Sequence, residues 1–264
     1  GDRRKVLSVQ VEAAAEQAYV DFGKKNVASL SAEQVKSALL ESGMFAFIVS
    51  RPYAVVANPT DAPKAIFVSA IADMPLAADF DVVLKGNEAD FQTGIEALSK
   101  IAKVHLGVKP GSSLESTKAA SVTAFSGKCP AGNVGVQINH VDPINKGEVV
   151  WTVGAEEVIF IGRLFNTGHA DLTRTIAVAG SEIKNPEYKK VLVGAKIGDI
   201  VAGNVATDKK VRLIDGNPLT GVKTCEDAFL LAHTTEVTAI PEGDQADELF
   251  GWIAPRFNEF STSR

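Results

Sequence analysis

Apolar residues recur along the chain in two rhythms, continuous β-branched runs and stripes spaced three or four apart, and the two alternate as far as Gly168. Lys64–Ile71 (KAIFVSAI) is the plainest run and predicts a central strand buried on both faces. Lys103–Val108, Val122–Phe125 and Trp151–Val153 read as further strands, and Val82–Leu84 as a short strand candidate. Helical stripes mark Glu88–Ala102, through Phe91, Ile95 and Leu98, and Ala155–Thr167, which Gly168 stops. Ser31-Ala-Glu-Gln34 is a capping-box signature; it opens a short helix that carries Val35, Ala38 and Leu39 and closes at Gly43. Lys5–Glu12 alternates as a strand does, and Ala13–Ala28 connects it onward. Strands and helices alternating in this way predict an α/β sheet, Rossmann-like in rhythm, whose ligands sit beyond the carboxyl ends of strands. Met74–Ala78 and Lys109–Ser113 are loops at such ends.

Near Leu172 the rhythm changes. Thr173–Ala179, Lys189–Val193, Lys210–Ile214 and Thr234–Ala239 are short strands separated by Gly180, Asn185-Pro186, Asp215-Gly-Asn-Pro218 and Gly221. Only Gly194–Ala202 reads as a helix. One helix among short strands predicts a small α+β module of β-grasp type. The expected organisation is a strand and linker over 1–28, a Rossmann-like domain over 29–170, the β-grasp module over 171–242 and a tail over 243–264. Phe250, Trp252, Phe257 and Phe260 make that tail aromatic, and an interface role suits Trp252. The opening GDRRKV lacks Met, Gly1 reads as a tag remnant, and the first strand wants partners upstream, so a piece of a longer protein is expected.

Glu41–Val56 (ESGMFAFIVSRPYAVV) breaks the pattern. Its apolar run meets Arg51-Pro52, where proline removes a backbone donor and pushes the residue before it out of the helical region. An irregular apolar loop with one fixed cation is expected. Such a loop either holds a ligand that is mostly hydrocarbon with a polar head, or packs on a neighbouring domain with Arg51 paired to a carboxylate.

Composition narrows the function classes. Hydrophobic residues make up 45% and charged residues 22%, as in an ordinary globular protein. A net charge of −5 and no Lys/Arg block argue against nucleic acid. Cys129 and Cys225 stand apart from each other and from any histidine, which fits two reduced thiols. The run Met44–Val49 is far short of the roughly 18 residues a membrane span needs. GxGxxG, GxxxxGK[ST], HExxH and GxSxG are all absent, and Gly132-Asn-Val-Gly135 does not replace the first. His105, His140, His169 and His233 are isolated in sequence and read as surface or capping residues. Glu156-Glu157 fall in the first turn of a helix, where acids suit the helix dipole.

Several segments together resemble a known family. They include ESGMFAF…SRP, KAIFVSAI-ADMPLAA, KPGSSL, VVWTVGAEEVIFIGRLFNTG, AVAGSEIKNP, VGAKIGDIV, GNPLTG and ELFGW. In this order they resemble the A-subunit (NqrA) of the Na+-translocating NADH:quinone oxidoreductase, across nearly the whole chain. The resemblance implies the central part of that protein, without its N-terminal barrel-sandwich and C-terminal helical domains, and a Rossmann-like domain followed by an SLBB (soluble-ligand-binding β-grasp) domain. It implies a peripheral component at the cytoplasmic face of the bacterial inner membrane. Other subunits are its partners, the B-subunit in the membrane foremost, and they carry FMN, FAD, riboflavin, iron–sulfur and NADH. Related flavoproteins have a glycine-rich stretch over flavin and nucleotide where this chain has GMFAFIVSRPYAV, so neither FMN nor NADH is expected here. The family's association with quinone maps onto the same loop. Phe45, Phe47, Ile48 and Tyr53 would stack on ring and tail beside Pro52, and Arg51 would donate to a carbonyl, for ubiquinone and menaquinone alike. Val49 and Val55 stand where the family commonly has basic residues. A docking scaffold for the membrane subunits, without quinone, is the alternative.

Overall fold

A computed structural model describes residues 6, 9–14, 16–206, 210–243 and 253. The aromatic tail residues and ELFGW lie outside the described residues. Val6, Val9 and Val11 are exposed and belong to no strand, contrary to the alternation there.

The first sheet takes in β1 (Val49–Arg51), β2 (Val55–Val56), β3 (Ile66–Ser69), β4 (Val104–Val108), β5 (Ser121–Ala124) and β6 (Val150–Gly154). Its order is β2-β1-β6-β3-β4-β5. Strands β3 to β6 are parallel, with Ile66 paired to both Val104 and Trp151, and β1 runs antiparallel to β6. The parallel part begins at β3, moves outward through β4 and β5, then returns to β6 on the other side of β3. The carboxyl ends of β3 and β6 therefore flank a topological switch point, where a crevice opens in sheets of this kind.

KAIFVSAI is the central strand its pattern predicts, and its period of two decides which side each residue serves. Ile66 and Val68 face a core built with α1 (Ala32–Glu41), α3 (Glu88–Ile101) and α5 (Ala155–Thr167). Ala65 and Phe67 face the other side, where α4 (Val134–Val141) supplies Ile138. Two glycines let α3 and α5 cross backbone to backbone. A Cβ at Gly162 would lie 1.7 Å from the Asp90 carbonyl oxygen, and one at Gly94 would lie 2.1 Å from that of Val158. The capping box forms as expected, Gln34 N–H donating to Ser31 Oγ and Ser31 N–H to Gln34 Oε1.

Three local expectations change. Val82–Leu84 is not a strand but part of α2 (Phe80–Leu84), because Asp79 caps the turn by accepting from Asp81 N–H at 3.0 Å. Helix α4 is absent from the apolar rhythm of the sequence; its cap is Asn133, which accepts from Gly135 N–H at 2.8 Å. Glu41–Val56 is not an irregular loop. Met44–Phe47 is a single 3-10 turn, and a β-hairpin follows that adds β1 and β2 to the sheet.

The second sheet takes in β7 (Thr173–Ala179), β8 (Glu187–Leu192), β9 (Val211–Asp215), β10 (Val222–Thr224) and β11 (Glu236–Pro241), in the order β10-β9-β11-β7-β8. Only β7 and β11 are parallel. A short helix, α6 (Ile197–Val201), buries Ile197, Ile200 and Val201 against Ile176, Val178 and Val237. This is the β-grasp arrangement. Arg163 joins the modules: its guanidinium donates to the Asn87 side chain at 2.8 Å and to the Thr173 carbonyl at 2.5 Å. Asp79 N–H donates to the Tyr188 hydroxyl at 3.2 Å across the same boundary.

Candidate functional site

A cleft of about 830 Å³ opens at the switch point. Its floor is the carboxyl end of β3 (Ser69–Ala72) and the junction of β6 with α5 (Gly154–Glu157). The Met74–Ala78 loop forms one wall, and residues of the second module, 215–217 and 231–236, form the other. Of the two carboxyl-end loops picked out by sequence, only Met74–Ala78 borders the cleft. Lys109–Ser113 packs beside α2 instead, Ser112 Oγ donating to the Asp81 carboxylate at 3.1 Å.

Acidic and apolar groups line this space. Asp73, Glu156, Glu157, Asp215 and Glu236 contribute carboxylates, while Met74, Phe80, Val83 and Leu231 contribute hydrocarbon. No lysine or arginine is among the described lining residues. Each carboxylate is engaged by the protein. Asp73 accepts from Gly132 N–H at 2.7 Å, Asp215 from Leu231 N–H at 2.9 Å and from the Thr234 hydroxyl, and Glu236 from the Thr235 hydroxyl. Gly132 is held in turn by Ser69, whose hydroxyl donates to its carbonyl at 2.8 Å and accepts from Gln137.

At the base lies a buried charge network that spans the two modules. Arg174, on β7, is fully buried; its Nε donates to Glu156 at 2.5 Å, its Nη2 to Glu157 at 3.1 Å and its Nη1 to the Ala232 carbonyl at 2.7 Å. His233 adds Nδ1 at 3.3 Å from Glu157 Oε1. One guanidinium cannot neutralise two carboxylates in low dielectric, so their acidities separate. Burial, with Glu157 alongside, pushes Glu156 up to about 7 despite Arg174. Burial also opposes ionisation of Glu157, but the bond from His233 and the charge of Arg174 outweigh it and hold that group below its ordinary value. Glu157 folds back over the start of its own helix. A Cβ at Gly154 would lie 1.8 Å from its Oε2, so glycine makes the room. The electropositive end of α5, a natural anion seat, is thus occupied by a carboxylate of the protein.

The helix-dipole reading of Glu156-Glu157 misses this burial. A signal is present in the sequence: the acids run straight into Val158-Ile-Phe-Ile161, a turn apolar on every side, which draws the turn before it into the interior. His233 carries no such signal, because its partners are distant in sequence. The remaining histidines differ. His140 and His169 meet backbone carbonyls at the surface, and His105 is buried, stacked on Phe67 at 4.7 Å between ring centroids and without a hydrogen bond. Burial, then Lys103, push His105 below its ordinary value.

The residues expected to form one quinone site occupy two places. Phe45 and Ile48 are core residues, Phe45 meeting Trp151 edge-on at 5.6 Å. Phe47 is also buried, between Phe160 and the ring of His233, 5.7 Å away, and so backs the cleft without lining it. Arg51, Pro52 and Tyr53 lie at the hairpin turn. Because β1 is antiparallel to β6, that turn is at the opposite edge of the sheet from the cleft. Arg51 Nε donates to Thr152 Oγ1 at 3.4 Å, and no carboxylate pairs with it among the described residues. Tyr53, Val55 and Val56 are exposed beside it. Among the described residues there is no group of three or more His, Cys, Asp or Glu placed to hold a metal, and no helix long and apolar enough to cross a membrane.

A Rossmann-like module joined to a β-grasp module, with a cleft at their junction, defines the class of two-module α/β proteins to which the chain belongs. A family profile described as the NqrA second alpha/beta domain matches residues 30–170, more than half of the chain, and one described as the NQRA C-terminal domain (SLBB) matches residues 175–226. The chain belongs to the NqrA family. It is 35% identical over 272 residues to the A-subunit of the Na(+)-translocating NADH-quinone reductase of Neisseria meningitidis serogroup B, covering 100% of this chain and 60% of that protein. The corresponding A-subunit of Actinobacillus pleuropneumoniae serotype 5b is 35% identical over 274 residues, covering 100% and 61%. The chain therefore spans about 60% of the length of these curated relatives. Among solved structures, the NAD+-reducing [NiFe]-hydrogenase in its H2-reduced state shares the fold, with a TM-score of 0.54 at 15% identity over 81% of this chain and 49% of that one.

Proposed function

We propose that the chain is part of the A-subunit of a Na+-translocating NADH–quinone reductase, and that its inter-module cleft takes the head group of the quinone. One observation carries this reading: a cleft at the switch point of a Rossmann-like sheet whose described lining holds carboxylates and hydrocarbon but no lysine or arginine. A nucleotide or FMN brings a phosphate, which needs cations or free N–H groups. Here five carboxylates would face it, and Glu157 already sits on the start of α5. A flat, uncharged ring suits the same walls. In this reading FMN, FAD, riboflavin, iron–sulfur and NADH belong to other subunits.

The hairpin turn supports a second role, assembly. Tyr53 is 78% exposed and Val55 and Val56 are 56% and 60% exposed, next to Arg51. Exposed apolar groups around a cation suit docking onto the membrane components of the complex, the B-subunit foremost, at the cytoplasmic face. The rival reading, a scaffold without quinone, draws on the burial of Phe45, Phe47 and Ile48, which leaves no aromatic stack at the turn beyond Tyr53.

Calorimetric titration of the full-length subunit separates these readings. The cleft assignment expects a short-chain benzoquinone to bind, FMN to bind at least tenfold more weakly, and Ala77→Trp, which fills the cleft wall, to abolish quinone binding. Quinone binding to the subunit that Ala77→Trp leaves untouched, or no quinone binding to the subunit at all, leaves the scaffold reading.

A further inference from the structure

His233 stands at the mouth of the cleft with only one of its ring nitrogens engaged. Nδ1 faces Glu157 Oε1 at 3.3 Å, and no partner of Nε2 occurs among the described residues. Glu157 is buried and tied to Arg174, so it is an ionised acceptor, and the nitrogen facing it must carry a hydrogen. That fixes the state of the other nitrogen. In the neutral ring Nε2 has a lone pair and accepts; in the imidazolium it has a hydrogen and donates. Phe47 packs edge-on against one side of the ring, 5.7 Å between centroids. The charged groups around it are Glu156 and Glu157 on α5, Arg174 on β7, Asp215 on β9 and Glu236 on β11. Four of these five are carboxylates with protein partners of their own. His233 thus brings to the lining a ring nitrogen, Nε2, that can change from acceptor to donor without breaking a hydrogen bond.

We propose that His233 selects the form of the ring that the cleft holds. As an imidazolium it donates to a carbonyl oxygen and favours the quinone; as a neutral imidazole it accepts from a hydroxyl and favours the hydroquinone. This rests on the reading that the cleft takes a quinone ring, and it names the residue and the hydrogen-bond polarity by which the ring is recognised. Glu157 and Arg174 act as positioning residues, holding the imidazole in one tautomer. The ligand class is a planar, phosphate-free ring with interconvertible carbonyl and hydroxyl groups.

The test is anaerobic titration of the full-length subunit with 2,3-dimethoxy-5-methyl-1,4-benzoquinone and, separately, with its hydroquinone. Measurements at about pH 5.5 and about pH 8.5 bracket the range in which imidazoles generally change charge. The quinone is expected to bind about tenfold tighter at the lower pH, the worth of one charge-assisted hydrogen bond, and the hydroquinone about fivefold tighter at the higher, the worth of one neutral hydrogen bond. His233→Gln, which can donate and accept at either pH, should reduce both changes to less than threefold. Glu156→Gln removes the other group that changes charge in this window and should keep the inversion. Binding of both rings without inversion, or an inversion that survives in His233→Gln, overturns the role of His233 and leaves the cleft assignment standing. If neither ring binds at either pH, in protein with an unchanged melting temperature, the cleft assignment is overturned and this inference with it.

Discussion

The two edges of the parallel sheet solve opposite problems. At the carboxyl edge the chain buries charge in a concavity: Glu156, Glu157 and Arg174 lie beneath a cleft, and each has a partner. At the amino edge it exposes hydrocarbon on a projection, with Tyr53, Val55 and Val56 in solvent beside Arg51. A buried ion network is weak evidence for stability, since neutral packing often does as well. An exposed apolar turn contributes nothing to an isolated fold. Both edges therefore depart from what folding alone favours, and in opposite directions. The concave, charged edge suits a small ligand, and the projecting, apolar edge suits a protein surface.

The contrast is broken most severely by removing the cation that the carboxyl edge depends on. Arg174→Met takes the shared guanidinium from two buried carboxylates and should cost about 3–5 kcal/mol, read from denaturant unfolding of the full-length subunit. Phe45→Ala should cost a similar 3–5 kcal/mol through lost packing on Trp151, because that residue belongs to the core and not to the exposed turn.

Acidity gives the next effect. The value of Glu156 rises from the ordinary 4.5 to about 7 on folding, so the folded protein binds this proton more tightly than the unfolded chain does. Its contribution is most favourable below about pH 4.5 and is lost as pH rises through about 7, a change of up to about 3 kcal/mol. Glu157, depressed on folding, works the other way: its stabilisation is present above the ordinary carboxylate range and disappears as pH falls through its lower folded value. Glu156→Gln should flatten the stability profile between pH 4.5 and 7 and leave the acid limb in place.

Smaller effects sharpen the comparison. Gly154→Ala places a methyl on the Glu157 carboxylate, which must swing off the helix start, and about 1–2 kcal/mol should be lost, as with a missing cap. At the other edge Tyr53→Ser should change stability by no more than about 0.5 kcal/mol while weakening retention of the chain in the assembled complex on purification.

The strands and helices are legible in the sequence wherever a single rhythm runs long enough. KAIFVSAI, Glu88–Ala102 and Ala155–Thr167 lie where their patterns put them, and the change of rhythm near Leu172 marks the passage to the second sheet. Short apolar triplets are not: Val82–Leu84 satisfies either period, and the cap on Asp79 decides for helix. The Glu41–Val56 stretch stands out as unusual, yet it is a hairpin and not a loop, because proline after a strand residue suits a turn as well as an irregular segment. The site is the least legible part. Its charge network joins Glu156 and Glu157 to Arg174 and His233, partners that only the docking of the β-grasp module brings together. Of the cleft itself, sequence indicates the Met74–Ala78 wall and nothing of the opposite one.

Photoaffinity labelling of the assembled complex with an azidoquinone, followed by peptide mapping, tests the central claim most directly. Label is expected on peptides containing Ile71–Ala78 or Leu231–Glu236, suppressed by excess unlabelled quinone. Label confined to the peptide containing Arg51–Val56, or label on this chain that excess FMN suppresses and quinone does not, would contradict it.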